Sequence, residues 1–401
     1  MLRVPIEHAQ AGMVLARSVA DPEKPEHILL KANYTLERDR IVRLRELRVY
    51  NIWIQYPGLD FLDQIINPEL VAKQQHLYST LKKDFSDAQA QGLDKIDYKQ
   101  YVKHMSDLFQ ILLQEKIPSS AFIAELQGGA DDIFLHCTTV ASLALLIGMR
   151  LENYMVRARH HLSSNTAINL TPLGVGALLH DMGKLSLPED LRQFHLTAHD
   201  LGSPQWQQHT EAGAEMIRAG LDPCAGQIIL NHHQHYDGSG FPARKSLPGG
   251  SLQPTLPLSG EDIHIFCRIV CVADRFDGFR HLPDGRMAPA VVGLKRMKNP
   301  GYIKWFDPEV YEAFISAMPG FNLGEQVILN NGQIVVVTEL NDGEPCRPIV
   351  RPLDMTKAQP IENNKDRKDG EGGQVADIDL SLRHDLYIAK VGDFDVIPYL
   401  H

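Results

Sequence analysis

No stretch of this 401-residue chain approaches the roughly 20 consecutive apolar residues of a membrane-spanning helix, and its N-terminus lacks the basic, apolar, small-residue order of a secretory signal. A cytoplasmic protein with no membrane span is therefore expected. Cysteine is scarce: Cys137, Cys224, Cys267, Cys271 and Cys346 are odd in number, scattered, and mostly set in apolar stretches. Buried thiols fit that usage better than a disulfide framework or a cysteine-ligated zinc site. Positive charge is also short, since 40 Lys and Arg against 50 Asp and Glu leave a net charge of −10. Such a chain is a poor partner for a polynucleotide, so an anionic substrate would have to be drawn in locally by metal ions and a few basic side chains. No repeat of roughly 20 to 50 residues is visible, which argues against solenoids and propellers.

What the chain has is enough apolar sequence, 44% of its residues, to bury more than one core, and a length suited to two or three domains. Residues 1–66 mix short apolar runs (Met13 to Leu15, Ile28 to Leu30, Ile52 to Ile54) with a charged segment carrying Ile41, Leu44 and Leu47 at helical spacing. A small α+β module is predicted there. Residues 67–128 turn polar and helical, with Leu77, Leu81, Phe85, Tyr101, Met105, Leu108 and Leu112 near helical spacing. They suit a connector that packs on the next domain or on a second subunit. Residues 129–318 read as all-helical, and Thr171-Pro172, Ser203-Pro204 and Asp222-Pro223 each set a capping side chain before a proline suited to the first helical position. Over residues 319–401 the period becomes that of strands, with a hairpin predicted from Val327 to Val337 around Asn331-Gly332. Further strands are expected at Pro348 to Leu353, Asp377 to Leu380 and Leu386 to Ala389, and a mobile loop from Ala358 to Gln374. The fold class is thus multidomain: an all-α domain flanked by a small N-terminal α+β module and a small C-terminal β-domain.

Within the helical domain, histidines and aspartates stand where apolar residues should. Ile133, His136, Val140, Leu143 and Ile147 share one helix face, so His136 points into the core; by itself, an ordinary hydrogen-bonded core histidine explains it. The next helix ends in His180-Asp181, with Gly183 available as a stop that presents both side chains and Lys184 at the helix end. His209 shares a side with Trp206 and Gly213, and His232-His233 follows Ile228 to Leu230. Adjacent helical residues diverge by about 100°, so both histidines can serve one site only if it lies between their directions, and a two-ion cluster is wide enough. Asp274 and Asp277 interrupt the apolar run from Ile269 to Phe276, where an unpartnered carboxylate is costly. Five histidines and two or three aspartates on apolar faces of one domain are hard to satisfy independently. A metal site is expected, with one carboxylate able to bridge two ions. His235 is expected at the surface or behind the ligands, and the remaining histidines, His281 among them, carry no usable pattern.

These residues are similar to those of the HD-GYP family, a branch of the HD phosphohydrolase superfamily whose known members hydrolyse cyclic dinucleotides, chiefly cyclic di-GMP. The similarity spans about residues 129–318 and rests on His136, His180-Asp181 with Gly183-Lys184, His209, His232-His233, the segment Asp237 to Pro242, and Ala273 to Asp277. The N-terminal module also resembles the domain that often precedes such a catalytic domain. The resemblance implies one divalent ion on His136, His180, Asp181 and Asp274 and a second on Asp181, His209, His232 and His233, with Asp181 as the bridge. A third ion, held in some members by an acid one turn before the first histidine, would fall to Asp132, shorter than the usual Glu. Iron or manganese is the implied metal. The implied mechanism is in-line attack by a bridging hydroxide on cyclic di-GMP, with the ions and Lys184 offsetting charge on the phosphoryl oxygens, to give linear pGpG, GMP or both.

Several residues depart from the family pattern. Gly240-Phe241-Pro242 replaces Gly-Tyr-Pro, which keeps the ring and loses the hydroxyl. Gln234 stands where an acid normally follows the double histidine. Of the basic pair that contacts substrate phosphates, Pro283 takes the first place and Arg286 the second, leaving Arg275 and Arg280, with Asp277, as further candidates for substrate binding beside Lys184. Three activities stay open: a cyclic di-GMP phosphodiesterase, a cyclic-dinucleotide-binding regulatory protein that turns over slowly or not at all, and an HD hydrolase of another nucleotide. Lys184 favours the first, because a pure sensor has less need of a transition-state cation. The flanks are compatible with a homodimer and with protein signalling partners.

Overall fold

The computed structural model describes residues 1–22, 27–47, 49, 51–62, 68–91, 98–114, 133–192, 203–216, 221–243, 256–284, 286–341, 343–354 and 376–400. Asp132, the segment Ala358 to Gln374 and much of the connector after residue 114 lie outside these described residues.

At the N-terminus, β1 (Leu2–Pro5) pairs antiparallel with β4 (Asn51–Ile54), and β2 (Val19–Ala20) with β3 (Ile28–Leu30). The helix α1 (Arg38–Glu46) lies between them in sequence and buries Ile41 and Leu44, the positions its spacing singles out. At the C-terminus, β5 (Gln326–Leu329), β6 (Ile334–Glu339), β7 (Ile349–Pro352), β8 (Ile378–Asp379), β9 (Ile388–Val391) and β10 (Phe394–Asp395) form one antiparallel sheet in the order β10-β9-β5-β6-β7-β8. The β5–β6 hairpin differs in detail from the two-residue turn that Asn331-Gly332 suggests. Leu329 N–H donates to Gln333 O and Gly332 takes a φ of 84°, so the loop has three residues, Asn330 to Gly332, with the glycine supplying the left-handed step.

The two chain ends, assigned to separate modules by the sequence, share one apolar core. Leu2, Val4, Leu15 and Ile54 belong to the same buried cluster as Phe321, Val327, Val335 and Ile388. Hydrogen bonds join them as well: Arg351 donates to Gly58 O at 2.7 Å, and Tyr56 Oη accepts from Asp354 N–H at 2.9 Å.

The helical unit comprises α2 (Pro68–Gln91), α3 (Tyr98–Gln114), α4 (Ile133–Arg150), α5 (Glu152–Ala158), α6 (Ser164–Ala167), α7 (Thr171–Leu179), α8 (Pro204–Gln207), α9 (His209–Met216), α10 (Pro223–Asn231), α11 (Ile265–Gly278), α12 (Ala290–Met297) and α13 (Pro308–Ala317). The connector residues Leu77, Leu81, Phe85, Tyr101, Met105 and Leu108 are buried in the same core as α4, α7, α10 and α11. At about 1.5–3 kcal/mol for each large apolar side chain removed from water, that packing rather than local propensity holds the polar helices α2 and α3 in place. Among the described residues α4 alone is long and apolar enough to cross a membrane, and 72% of it is buried inside the protein, as in a core helix. Ser203 and Asp222 cap α8 and α10 as expected, while α7 begins at Thr171 itself, whose N–H is taken by Asn169 Oδ1 at 3.1 Å. All five cysteines are free; Cys137, Cys267 and Cys271 are buried, Cys224 and Cys346 partly so.

The helix α12 belongs to both cores: Val291 and Val292 pack into that of the chain ends, Ala290, Leu294 and Met297 into that of the helices. It follows α11 directly, the helix that carries Asp274 and Asp277.

Candidate metal centre

Five elements bring their polar residues to one place. His136 comes from α4, His180 and Asp181 from the end of α7, His209 from the first turn of α9, His232 and His233 from the end of α10, and Asp274 from α11. Gly183 makes this possible, though not as a helix stop: a Cβ there would lie 1.9 Å from His209 O, so the turn Met182–Ser186 rests directly on α9 and sets Asp181 against His209. Gly240 does the same on the far side, where a Cβ would lie 2.3 Å from both His233 O and His235 N.

Two adjoining ligand-like groups result, besides a third set of His136, Asp277 and His281. His136, His180, Asp181 and Asp274 form one and Asp181, His209, His232 and His233 the other, each with its donor atoms within 4.8 Å of one another, and Asp181 belongs to both. All seven side chains are buried. The hydrogen bonds around them test whether a cation fits. His209 Nδ1 faces Trp206 O at 2.7 Å and His232 Nδ1 faces Ile229 O at 3.0 Å. A carbonyl only accepts, so both rings carry their proton on Nδ1 and turn a bare Nε2 inward. Those nitrogens lie 3.4 Å apart, and 3.4 and 3.6 Å from Asp181 Oδ1. Three acceptors thus face one another out of contact with water, and Asp181 Oδ1, Asp274 Oδ2 and His180 Nε2 have no hydrogen-bond partner among the described residues. Such a set needs positive charge, and its nitrogen and oxygen donors suit a divalent transition ion.

The electrostatics agree. Burial opposes charging every histidine here, yet the carboxylates of Asp181, Asp274 and Asp277 pull His136 well above its ordinary range. In the same way Asp181 raises His180 to about 10 against the effect of burial. His209, where burial dominates, falls to about 3, and His232 and His233 are also lowered. Lys184 and the histidines outweigh burial at Asp181 and hold its carboxyl far below the usual range. The cluster stays anionic at its centre and takes up cations, protons or metal ions, around it.

The remaining expected residues divide. Lys184 is buried and its Nζ donates to Asp181 Oδ2 at 2.5 Å, with its charge 5.3 Å from the Trp206 ring centre. Arg275 is buried against the second group, donating to His233 Nδ1. Asp277 lies behind the cluster: its Oδ2 accepts from His136 Nδ1 at 2.7 Å, which fixes the ring that faces Asp274 and Asp181. Arg280 is buried on that same back side, 3.9 Å from Asp277 and donating to Ala288 O. Arg286, expected at substrate phosphates, is exposed instead, because Asp284 in the same turn closes on its guanidinium at 2.7 Å. Gln234 donates to Pro242 O at 2.6 Å and accepts from Leu258 N–H at 2.9 Å, so it pins the Phe241-Pro242 segment without adding charge. Phe241 lays its ring on His233, centroids 4.7 Å apart.

Two histidines escape the sequence pattern. His281 stands one helical turn after Asp277 and approaches its Oδ2 at 3.4 Å, a spacing that could have been read from Asp277. His235, expected at the surface or behind the ligands, is buried, stacked on Trp305 at 4.0 Å and bonded to Ser239 Oγ at 3.0 Å. Burial and then Arg275 lower its pKa to about 3. No local signal pairs it with Trp305, about seventy residues away.

The family model of the HD domain matches residues 150–310. Those residues are thus similar to an HD domain. His136 lies outside the matched residues, and its place beside the HD residues is a finding of the structure. The chain is similar to the cyclic di-GMP phosphodiesterase PA4108 of Pseudomonas aeruginosa, 24% identical over 236 residues covering 57% of this chain and 50% of that protein. It is 29% identical over 163 residues to a cyclic di-GMP phosphodiesterase of Thermotoga maritima, covering 36% of this chain and 37% of the relative. It is also 34% identical over 145 residues to the 3'3'-cGAMP-specific phosphodiesterase 2 of Vibrio cholerae, covering 34% of this chain and 22% of the relative. The chain therefore spans half or less of the length of these curated relatives.

Proposed function

We propose that this chain is a metal-dependent phosphodiesterase acting on cyclic dinucleotides, with cyclic di-GMP as its substrate. The observation that carries the reading is Asp181, a buried carboxylate common to two adjoining sets of inward-facing donors. The names of the relatives support the substrate class. In this reading one ion is held by His136, His180, Asp181 and Asp274 and another by Asp181, His209, His232 and His233, and iron or manganese suits this donor set better than magnesium. Two such ions, when bound, supply an acidified water and the positive charge that in-line displacement at phosphorus requires.

The chain's own groups do the rest. The backbone carbonyls of Trp206 and Ile229 fix the His209 and His232 tautomers, and Asp277 fixes that of His136, so the ligand lone pairs are aimed before a substrate arrives. Lys184, held on Asp181, offsets charge gathering on the phosphoryl oxygens. Phe241 and Trp206 cover the His233 side of the cluster with ring surface and exclude water there.

The test is anaerobic incubation of iron- or manganese-loaded protein with cyclic di-GMP, followed by chromatography, beside Asp181→Ala. Metal-dependent release of linear pGpG or GMP by the wild type alone is expected, and the product ratio reports where hydrolysis stops. A second reading, hydrolysis of 3'3'-cGAMP, is favoured by the name of one relative, and the same chromatography with that nucleotide decides between the two.

A further inference from the structure

Of the three arginines on α11 and the turn after it that were candidates for phosphate contacts, Arg275 alone meets the ion cluster. Arg286 is closed on Asp284 at the surface, and Arg280 is spent on Ala288 O behind Asp277. Arg275 follows Asp274 directly and is only 7% exposed. One of its terminal nitrogens donates to His233 Nδ1. Its Nε–H lies 3.6 Å from Asp274 Oδ2 and has no hydrogen-bond acceptor among the described residues. The guanidinium lies over Trp305, 5.8 Å from the ring centroid, and Trp305 is itself held nearly parallel to His235, at 11°. His235 is anchored by Ser239, so the indole is a fixed platform under a charged group with an unspent donor.

The bond to His233 bears on ion binding. His209 spends its Nδ1 proton on Trp206 O, which leaves its Nε2 an acceptor. His233 Nε2 lies 3.1 Å from that acceptor and therefore carries a proton, leaving His233 Nδ1 bare to accept from Arg275. Both ring nitrogens of His233 are then engaged in one tautomer. A metal ion on either nitrogen ends the arrangement. Coordination through Nδ1 takes the lone pair that Arg275 uses, while coordination through Nε2 sends the proton to Nδ1 and sets two donors against each other.

We propose that Arg275 grips the phosphodiester of the substrate, and that filling the ion position at Asp181, His209, His232 and His233 is what releases it from His233 to do so. The inference rests on the phosphodiesterase reading for the identity of the anion. A released guanidinium keeps its planar fork on Trp305, which suits two parallel bonds to phosphoryl oxygens, and its charge adds to that of the ions. Binding is thereby ordered, ions first and substrate second, and Arg275 takes the role left open by Pro283 and Arg286.

Manganese and inorganic phosphate are sufficient probes, followed by calorimetry on the full chain under anaerobic conditions. In Arg275→Met the second manganese ion should bind about fivefold more tightly, because nothing competes for His233, while the loaded variant should bind phosphate about tenfold more weakly. Arg275→Lys should recover part of the phosphate affinity as a point charge. Phosphate affinity unchanged in Arg275→Met, or a second manganese ion bound no more tightly than in the wild type, overturns the proposal. Should Arg275→Met fail to fold, Trp305→Leu keeps the guanidinium and removes its platform; a severalfold loss of phosphate affinity supports the role and an unchanged one defeats it. Cyclic di-GMP turnover by the wild type is scored separately, so its absence would defeat the phosphodiesterase reading while the manganese and phosphate titrations still judge Arg275.

Discussion

In the core shared by the two chain ends, Leu2, Val4, Ile54, Phe321, Val335 and Val336 are shut off from water in a cluster of apolar side chains, whereas the helical core also buries His136, His180, Asp181, His209, His232 and Asp274. Such apolar side chains are satisfied by contact alone. The second core contains acceptors that no described residue satisfies, an arrangement compatible with a divalent cation. Depth of burial therefore does not separate packing from chemistry in this protein. Orientation does: the Nδ1 atoms of His180, His209 and His232 are spent on backbone carbonyls, which turns three rings the same way, toward Asp181. A histidine kept for packing has no need of that common aim.

The contrast can be broken most severely at Asp181. Asp181→Ala should lower turnover by about a thousandfold or more and empty both ion positions, read by product chromatography and metal analysis; full turnover from a folded variant would end the bridging assignment. Phe321→Ala attacks the other core. It should cost about 3–5 kcal/mol in urea denaturation while ion affinity stays at the wild-type value, and a parallel loss of ions would show that the two cores act as one cooperative unit. A milder probe is Asp277→Asn, which keeps an acceptor for His136 Nδ1 and removes the charge. Ion binding should weaken by about 10–100-fold with little change in unfolding, and unchanged affinity would reduce Asp277 to a packing group.

The smallest effect sharpens the contrast from the packing side. His264 caps α11, its Nδ1 accepting from Phe266 N–H, and burial, with Arg159 and Arg268, lowers its pKa to about 4. The folded state thus favours the neutral ring, while the unfolded chain binds a proton near pH 6.5. Its contribution is whole above about pH 6.5 and declines as the pH falls toward 4. His264→Asn keeps the cap without titrating, so the acid limb of Tm against pH should be shallower between these values; an unaltered slope would remove His264 from the account.

The helical domain was legible because its evidence is local: prolines after Ser203 and Asp222, helical spacing from Leu77 to Leu112, and histidines intruding on apolar faces each announce themselves within a few residues. Polar groups such as His136, His232, His233 and Asp274 were conspicuous on apolar stretches for the same reason, whereas their division into two sets sharing Asp181 came from the family resemblance and not from any local pattern. Gly183 was visible but misread, since a close approach to His209 O depends on a helix about thirty residues away.

Residue type and period, then, determined the classes of element and the presence of a His and Asp set on apolar stretches. Only the tertiary structure decided which arginine stands at the cluster, that Asp277 and His281 lie behind His136, that His235 is stacked under Trp305, and that the two chain ends close over a single core. The physical reason is one of range. Backbone periodicity fixes which way a side chain leaves its own helix, but its partner is fixed by how distant elements pack, and no spacing within one element records that.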